Sequence, residues 1–302
     1  MKKSICMIIT VLLLAMSLFG CAAKGNDESP ADTPEQTAEQ GGFAGGITVL
    51  SREEGSGTRS AFIELTGVEV KDENGDKKDM TTDAAEITNS TAVMKTTVGT
   101  NKFAIGYISL GALDNSVKAV KVEGAEATKD AVKDKSYKLS RPFNIVTKES
   151  VSAEAQDFIN FILSDDGQKI AEDAGYISTG AAGAFKSENP EGKITVGGSS
   201  SVTPLMEKLV EAYNKVNPKL TIEVQLTDSS NGIKGTIEDT YDIGMASREL
   251  KDDELYEGVK PTVIAMDGIA VVVNAENPVE ELTLEQIAKI YKGEVTDWSE
   301  IG

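Results

Sequence analysis

Residues 194–218 read ITVGGSSSVTPLMEKLVEAYNKVNP. The first three, Ile194, Thr195 and Val196, form a short β-branched run of the kind that makes a buried strand. Pro204 suits the first turn of a helix, where its missing N–H costs nothing, and Leu205, Leu209, Ala212, Tyr213 and Val216 recur at helical spacing as one apolar face. The Gly-Ser segment between strand and helix therefore sits at a helix N-terminus. Unpaired N–H groups and the positive end of the helix dipole favour an anion there, and Ser199, Ser200 and Ser201 add hydroxyl donors.

The same design recurs. Residues 222–226 (IEVQL) precede TDSSNGIKGTIED, with Ser229, Ser230 and Gly232 ahead of a short helical pattern. Residues 47–50 (ITVL) precede SREEGSGTRSAFIELTG, with Ser56, Gly57 and Thr58 opening a helix that carries Phe62, Ile63 and Leu65. A fourth loop, ASREL, follows the strand-like Tyr241-Asp242-Ile243-Gly244 and offers Ser247 and Arg248. A serine or threonine before a helix is an ordinary cap, so any one loop alone says little. Three or four of them at strand-to-helix crossings predict a shared oxyanion site, since α/β proteins place ligands at such ends.

Arginine is an independent pointer. The chain has only Arg52, Arg59, Arg141 and Arg248, and all but Arg141 fall in these loops. The planar guanidinium fork matches phosphate or carboxylate bidentately. Arg59 reads as a surface ion pair. Glu54, two residues after Arg52, has two readings: an acceptor for the proton of a hydrogen-bearing anion such as HPO4²⁻, which sulfate would lack, or else a helix-N-terminal acid or a partner of Arg52.

Length and composition bound the rest. With 302 residues, of which 40% are hydrophobic, the chain has material for more than one core, so two lobes are expected. Strand-like runs alternate with amphipathic helical patterns, as in an α/β protein. The sequence holds no histidine, which excludes a Ser-His-Asp triad and histidine-based metal centres. A phosphate-binding GxxxxGK[ST] loop is also missing from it, so hydrolase and phosphotransferase readings have little support. The adjacent acids Glu53 and Glu54, or Asp252 and Asp253, read as solvated faces. A net charge of −19 argues against nucleic acid as a partner.

At the start of the chain, Lys2 and Lys3 precede an apolar run over residues 5–19, too short for a spanning helix and laid out like a secretory signal. It ends in Leu18-Phe19-Gly20-Cys21, which resembles the lipobox of bacterial lipoproteins, with Cys21 the acylated residue. Cys6 would leave with the signal, so a disulfide is not expected. Residues 22–46, rich in Gly, Pro, Ala, Gln and acids, read as a disordered tether.

Taken together, GGSSSVTPLMEKLVEAY, YDIGMASREL, DGIAVVVNAENP, LTLEQIAKIYKGEVTDWSEIG, SREEGSGTRSAF, AIGYISLG and RPFNIVTK resemble the PstS family, the phosphate-binding lipoproteins of bacterial phosphate ABC transporters. The resemblance covers nearly all of residues 47–302. It implies a type II periplasmic-binding-protein fold, in which two α/β lobes joined by a two-strand hinge close on one phosphate. It further implies no cofactor, no enzymatic activity, a monomer, and partnership with inorganic phosphate, a membrane permease and, through the lipid, the extracytoplasmic membrane face. The implied phosphate contacts are Ser200, Ser201, Ser229, Ser247, Arg248, Arg52, Glu54, Ser56, Gly57 and Thr58. In TDSSNG, Asp228 stands where the family has glycine.

The motif order departs from the family. GSSSV there comes first and SGTR follows WSEIG, whereas here the SGTR half leads. A circular permutation gives this order, and so would a mis-assembled or truncated gene. Under permutation, residues 1–21 are the signal, 22–46 the tether, 143–267 a contiguous lobe, and 47–142 with 268–302 a split lobe whose termini are neighbours. Thr283-Leu284-Glu285-Gln286 is a capping-box pattern that should start a helix in the split lobe. A phosphate sensor, a surface interaction protein without a transport role, or a receptor for another oxyanion would share these features. Asp72–Asp79 (DENGDKKD) loosely resembles a calcium loop but lacks the full ligand spacing, and reads as a surface loop. Trp298, Tyr291, Ile290, Tyr107 and Phe103 read as packing residues.

Overall fold

The computed structural model describes residues 43–301. The proposed signal, Cys21 and residues 22–42 of the tether lie outside the described residues, as does Gly302. In chain order the first half contains β1 (Thr48–Arg52), α1 (Gly57–Thr66), β2 (Glu69–Lys71), β3 (Lys77–Asp79), β4 (Glu86–Thr88), α2 (Thr91–Thr100), β5 (Ala104–Ser109), β6 (Lys118–Ala119), β7 (Lys121–Val122), α3 (Lys129–Lys133) and β8 (Ser140–Lys148). Then follow α4 (Ala153–Leu163), α5 (Asp165–Asp173), β9 (Gly192–Ser199), α6 (Thr203–Val216), β10 (Leu220–Thr227), α7 (Ser229–Ile237), β11 (Ile243–Ala246), α8 (Asp252–Tyr256), β12 (Val259–Val273), β13 (Glu281–Leu282) and α9 (Leu284–Lys292).

The main sheet runs β10-β9-β11-β8-β12-β5-β1-β4, with β6 added to β12. Pairing is parallel at each end, between β9 and β10, β9 and β11, β1 and β5, and β1 and β4. It is antiparallel in the middle, where β8 and β12 pair along their length from Val259↔Lys148 to Gly268↔Ser140. Beyond Gly268, β12 leaves β8 and pairs with β5 from Ile269↔Ser109 to Val273↔Ile105. One 15-residue strand thus serves both ends of the sheet. Its second part, Ile269 to Val273, is almost fully buried, as expected of a strand covered on both faces.

The two largest packed cores lie on either side of that change of partner. One gathers Phe143, Phe158, Phe161, Leu205, Met206, Tyr213, Ile243 and Ala265. The other gathers Phe62, Tyr107, Leu139, Ile269, Val271, Tyr291 and Trp298. Helix α6 begins with Pro204 in its first turn and buries Leu205, Leu209 and Tyr213, as its spacing predicts. Val216 is a correction, being 47% exposed, while Met206 and Val210 complete the face. The Thr283–Gln286 capping box starts α9, which buries Ile287, Ile290 and Tyr291. Tyr107 lies buried in β5, whereas Phe103 precedes that strand and is only partly buried. DENGDKKD forms part of the β2–β3 hairpin, turned by an Asp72 carboxylate that accepts from the N–H groups of Asn74 and Asp76.

The ends of the described chain meet. Ile47 N donates to Thr296 O at 2.8 Å, Trp298 N donates to Gly45 O at 3.0 Å, and Phe43 stacks on Phe103 with centroids 5.3 Å apart. Residues 43–46, assigned to the tether by composition, therefore belong to the globule. The tether reading fails there because Phe43 has a docking surface on Phe103 and Trp298 that composition cannot reveal. No helix among the described residues is long and apolar enough to cross a membrane.

Candidate oxyanion site

The serine-rich loops converge where β1, β9, β10 and β11 end and α1, α6 and α7 begin. Ser56 caps α1, its Oγ accepting from Arg59 N at 3.3 Å. Asp228 caps α7, accepting from Asn231 N at 2.8 Å. The Asp228 carboxylate is thus accounted for by capping. Helix α6 starts at Thr203, after Val202, without a capping side chain; in its first turn Pro204 has no N–H and Leu205 N donates to Val202 O at 3.0 Å, so the hydroxyls of the loop are the main donors there.

Hydroxyls from the two ends of the sheet touch directly. Thr58 Oγ1 lies 2.8 Å and Thr91 Oγ1 3.1 Å from Ser201 Oγ. Ser199 Oγ donates to Ser247 Oγ at 2.9 Å, and Ser247 N donates to Ser229 Oγ at 3.0 Å. Ser230 N donates to Gly55 O at 3.2 Å, closing the same seam through the backbone. Gly57 fits because it has no side chain: a Cβ there would overlap Ser229 Oγ and crowd Ser247 Oγ at 2.8 Å. Ser56, Thr58, Ser200, Ser201, Ser229 and Ser247 are all buried.

Arg52 brings a guanidinium to this seam. It is 1% exposed, and its Nη2 donates to Ser200 Oγ at 2.9 Å. Its backbone is fixed on both sides, since Arg52 N donates to Tyr107 Oη at 3.1 Å and Arg52 O accepts from Arg59 Nη1 at 2.8 Å. Arg59 also pairs with Asp79 at 2.8 Å, so it is a brace for the Arg52 loop rather than a detached surface ion pair. Burial pushes the Tyr107 phenol up to about 12, despite the opposing hydrogen bonds from Ser51 and Arg52 N, so it stays a neutral hydroxyl.

Two expectations are corrected. Glu54 is exposed, and the carboxylate that grips Arg52 is Glu53, at 2.7 and 2.8 Å to Nη2 and Nε. The chain turns between these residues, and sequence proximity alone could not say which would face Arg52. The Arg248 guanidinium is engaged by both oxygens of Glu254 at 2.7 Å and reaches Ser230 Oγ at 3.1 Å. The Glu254 carboxylate sits below its usual range because Arg248 and Lys251 N–H outweigh the opposing effect of its burial. With α8 supplying that partner, both Nη atoms of Arg248 are engaged, as Nε and Nη2 of Arg52 are by Glu53, while the buried Arg248 Nε has no partner among the described residues.

Ser200, Ser201, Ser229, Ser247, Arg52, Ser56, Gly57 and Thr58 are brought to one seam. Thr91 was missed, although the strand Glu86–Thr88 followed by Asn89-Ser90-Thr91 at a helix start repeats the pattern that exposed the other loops. Tyr107, Arg141 and Asp267 were missed because only the fold brings them near these loops, whereas Glu53, which adjoins Arg52 in sequence, is not the solvated face its pairing with Glu54 predicts. The arrangement offers many neutral O–H and N–H donors around a compensated guanidinium. It suits reversible, dehydrating capture of a small oxyanion.

The PBP superfamily domain matches residues 26–166 and 181–302. The chain belongs to that superfamily. A Phosphate-binding protein PstS 2 of Streptococcus agalactiae serotype V is 55% identical over 258 residues, spanning 85% of this chain and 88% of that protein. The Phosphate-binding protein PstS 2 of Streptococcus pneumoniae serotype 4 is 44% identical over 296 residues, 97% of this chain and 98% of that one. The crystal structure of a phosphate ABC transporter, phosphate-binding protein from Streptococcus pneumoniae TIGR4 superposes with a TM-score of 0.68 at 46% identity, covering 85% of this chain and 100% of that chain. Within the superfamily the chain is therefore of the PstS type. Because these matches run almost end to end, the SGTR-first order is shared with relatives and is not an accident of one gene.

Proposed function

We propose that this protein is an extracytoplasmic solute receptor, not an enzyme, that captures inorganic phosphate between two lobes and delivers it to the permease of an ABC transporter. The observation that carries the reading is the seam in which Arg52 and Thr58 meet Ser200 and Ser201 from the opposite end of the sheet. Residues 143–267 form one lobe; 47–142 and 268–302 form the other; β8 and β12 are the hinge between them. Phosphate would be held by Arg52, Ser56, Gly57 and Thr58 from the split lobe and by Ser200, Ser201, Ser229 and Ser247 from the contiguous one. Contacts made only on closure give the closed state its advantage when the ligand is present. The receptor acts as a monomer, anchored by acylation of Cys21.

Calorimetric titration of residues 22–302, stripped of carried-over phosphate by partial unfolding, tests this reading. Tight one-site phosphate binding that sulfate does not displace supports it; a cooperatively folded protein that binds no phosphate overturns it. The intact mass of the membrane-extracted protein, compared with a Cys21→Ser variant, tests the anchor.

A further inference from the structure

Arg141 lies outside the serine-rich loops, on β8, where that strand faces β12 in the register pair Arg141↔Asp267. Its Nη2 is 3.1 Å from Asp267 Oδ2, and the two side chains are 1% and 0% exposed. A buried ion pair is costly to desolvate and is commonly no more stabilising than apolar residues of the same volume, so stability alone does not explain one here. The surroundings of the pair suggest a different role. Arg141 Nη1 donates to the carbonyl of Ser247 at 3.2 Å, and Ser247 is the residue whose hydroxyl joins Ser199 and Ser229. Asp267 Oδ1 accepts from Ser109 Oγ at 3.0 Å, at the end of β5 in the other half of the sheet. The pair thus ties the backbone of a seam residue on one side to the end of β5 on the other.

Arg141 also retains a donor that its neighbours do not use. Its Nε is buried and has no hydrogen-bond partner among the described residues. Burial holds the Arg141 pKa below its usual value against the pull of Asp267, and the Arg52 guanidinium adds to that depression. Two like charges are thus kept near the same serine cluster, a repulsion that an anion bound at that cluster would relieve.

We propose that Arg141, held by Asp267, is a second cation of the oxyanion site, a positioning residue that places Ser247 and sets the charge balance felt by the ligand without gripping it. This rests on the phosphate-receptor reading above. A charge role and a merely structural role predict opposite signs. Asp267→Asn keeps an acceptor for Arg141 but leaves the cation uncompensated, so affinity for an anion should rise. Arg141→Met leaves a buried acid near the site, so affinity should fall.

The test is calorimetric titration of the wild type, Asp267→Asn and Arg141→Met with phosphate and with sulfate at pH 7, alongside thermal unfolding of each. The expected result is weakening of phosphate binding by about tenfold or more in Arg141→Met, with tightening of several-fold in Asp267→Asn, most visible at low salt. Parallel weakening in both variants, or no change in either, overturns the proposal and leaves the pair a structural tie. Should Arg141→Met not fold, Asp267→Asn decides alone: tighter binding supports the proposal and equal or weaker binding overturns it. A wild type that binds no phosphate overturns the receptor reading, and this proposal with it; a wild type that binds while the variants fail to diverge overturns only the proposal.

Discussion

Arg52 Nη2 donates to Ser200 Oγ at 2.9 Å across 148 residues of sequence, joining the end of β1 to the loop that precedes α6. Both groups are buried, so this bond exists only where the two halves of the sheet come together. Most of the function proposed for the protein depends on that meeting.

Removing the guanidinium should therefore cost more than removing the hydroxyl. Hydrogen bonds to charged groups contribute about 1.5–3 kcal/mol and neutral ones about 0.5–1.5 kcal/mol. Arg52→Met should weaken phosphate binding by roughly one to two orders of magnitude, and Ser200→Ala by about two- to tenfold. Equal effects in titration calorimetry would contradict the assignment of Arg52 as the cation of the site.

Gly57 gives a steric test of closure. Its missing side chain leaves room for Ser229 and Ser247 from the other side of the seam. Gly57→Ala should hold the halves apart, lowering phosphate affinity by about tenfold or more while the melting temperature without ligand changes little. Small-angle scattering should show a more open particle with phosphate present; unchanged compaction would reject this account.

The buried phenols set an alkaline limit. Tyr107 is pushed up to about 12 by burial, and Tyr291 is raised well above the ordinary value of 10.0 by burial and by its neighbour Tyr107. A folded state that keeps these groups neutral while the unfolded chain ionises them has their full contribution below about pH 10. That contribution is lost as pH rises from 10 toward 12, on the order of 2–3 kcal/mol for Tyr107 alone. Tyrosinate absorbance should thus rise in two stages, the second coinciding with loss of far-ultraviolet dichroism. A single stage near pH 10 with the fold intact would show these phenols to be accessible.

The junction of the chain ends should contribute stability without touching binding. Phe43 is partly buried against Phe103 and Trp298. Phe43→Ala should lower stability by about 1–2 kcal/mol through lost apolar burial and aromatic contact. Denaturant titration measures it, and phosphate affinity should stay at the wild-type value.

Local patterning was readable wherever a residue's role depends on its near neighbours. The Pro204 helix start, the Thr283–Gln286 capping box and the serine loops before α1, α6 and α7 all follow from spacing and from side chains that meet backbone within one turn. Val216 and Phe43 were misread because burial depends on what another segment brings to that face.

The sequence by itself determined that this is an acidic, histidine-free α/β chain with repeated hydroxyl-rich helix starts and few arginines, because composition and short-range periodicity are properties of the chain alone. Only the tertiary structure decided which carboxylate holds which arginine: Glu53 rather than Glu54 on Arg52, Glu254 on Arg248, and Asp267 on Arg141. An ion pair needs two groups within a few ångströms, and for Arg141 and Asp267, 126 residues apart, that proximity is made by the register of β8 on β12.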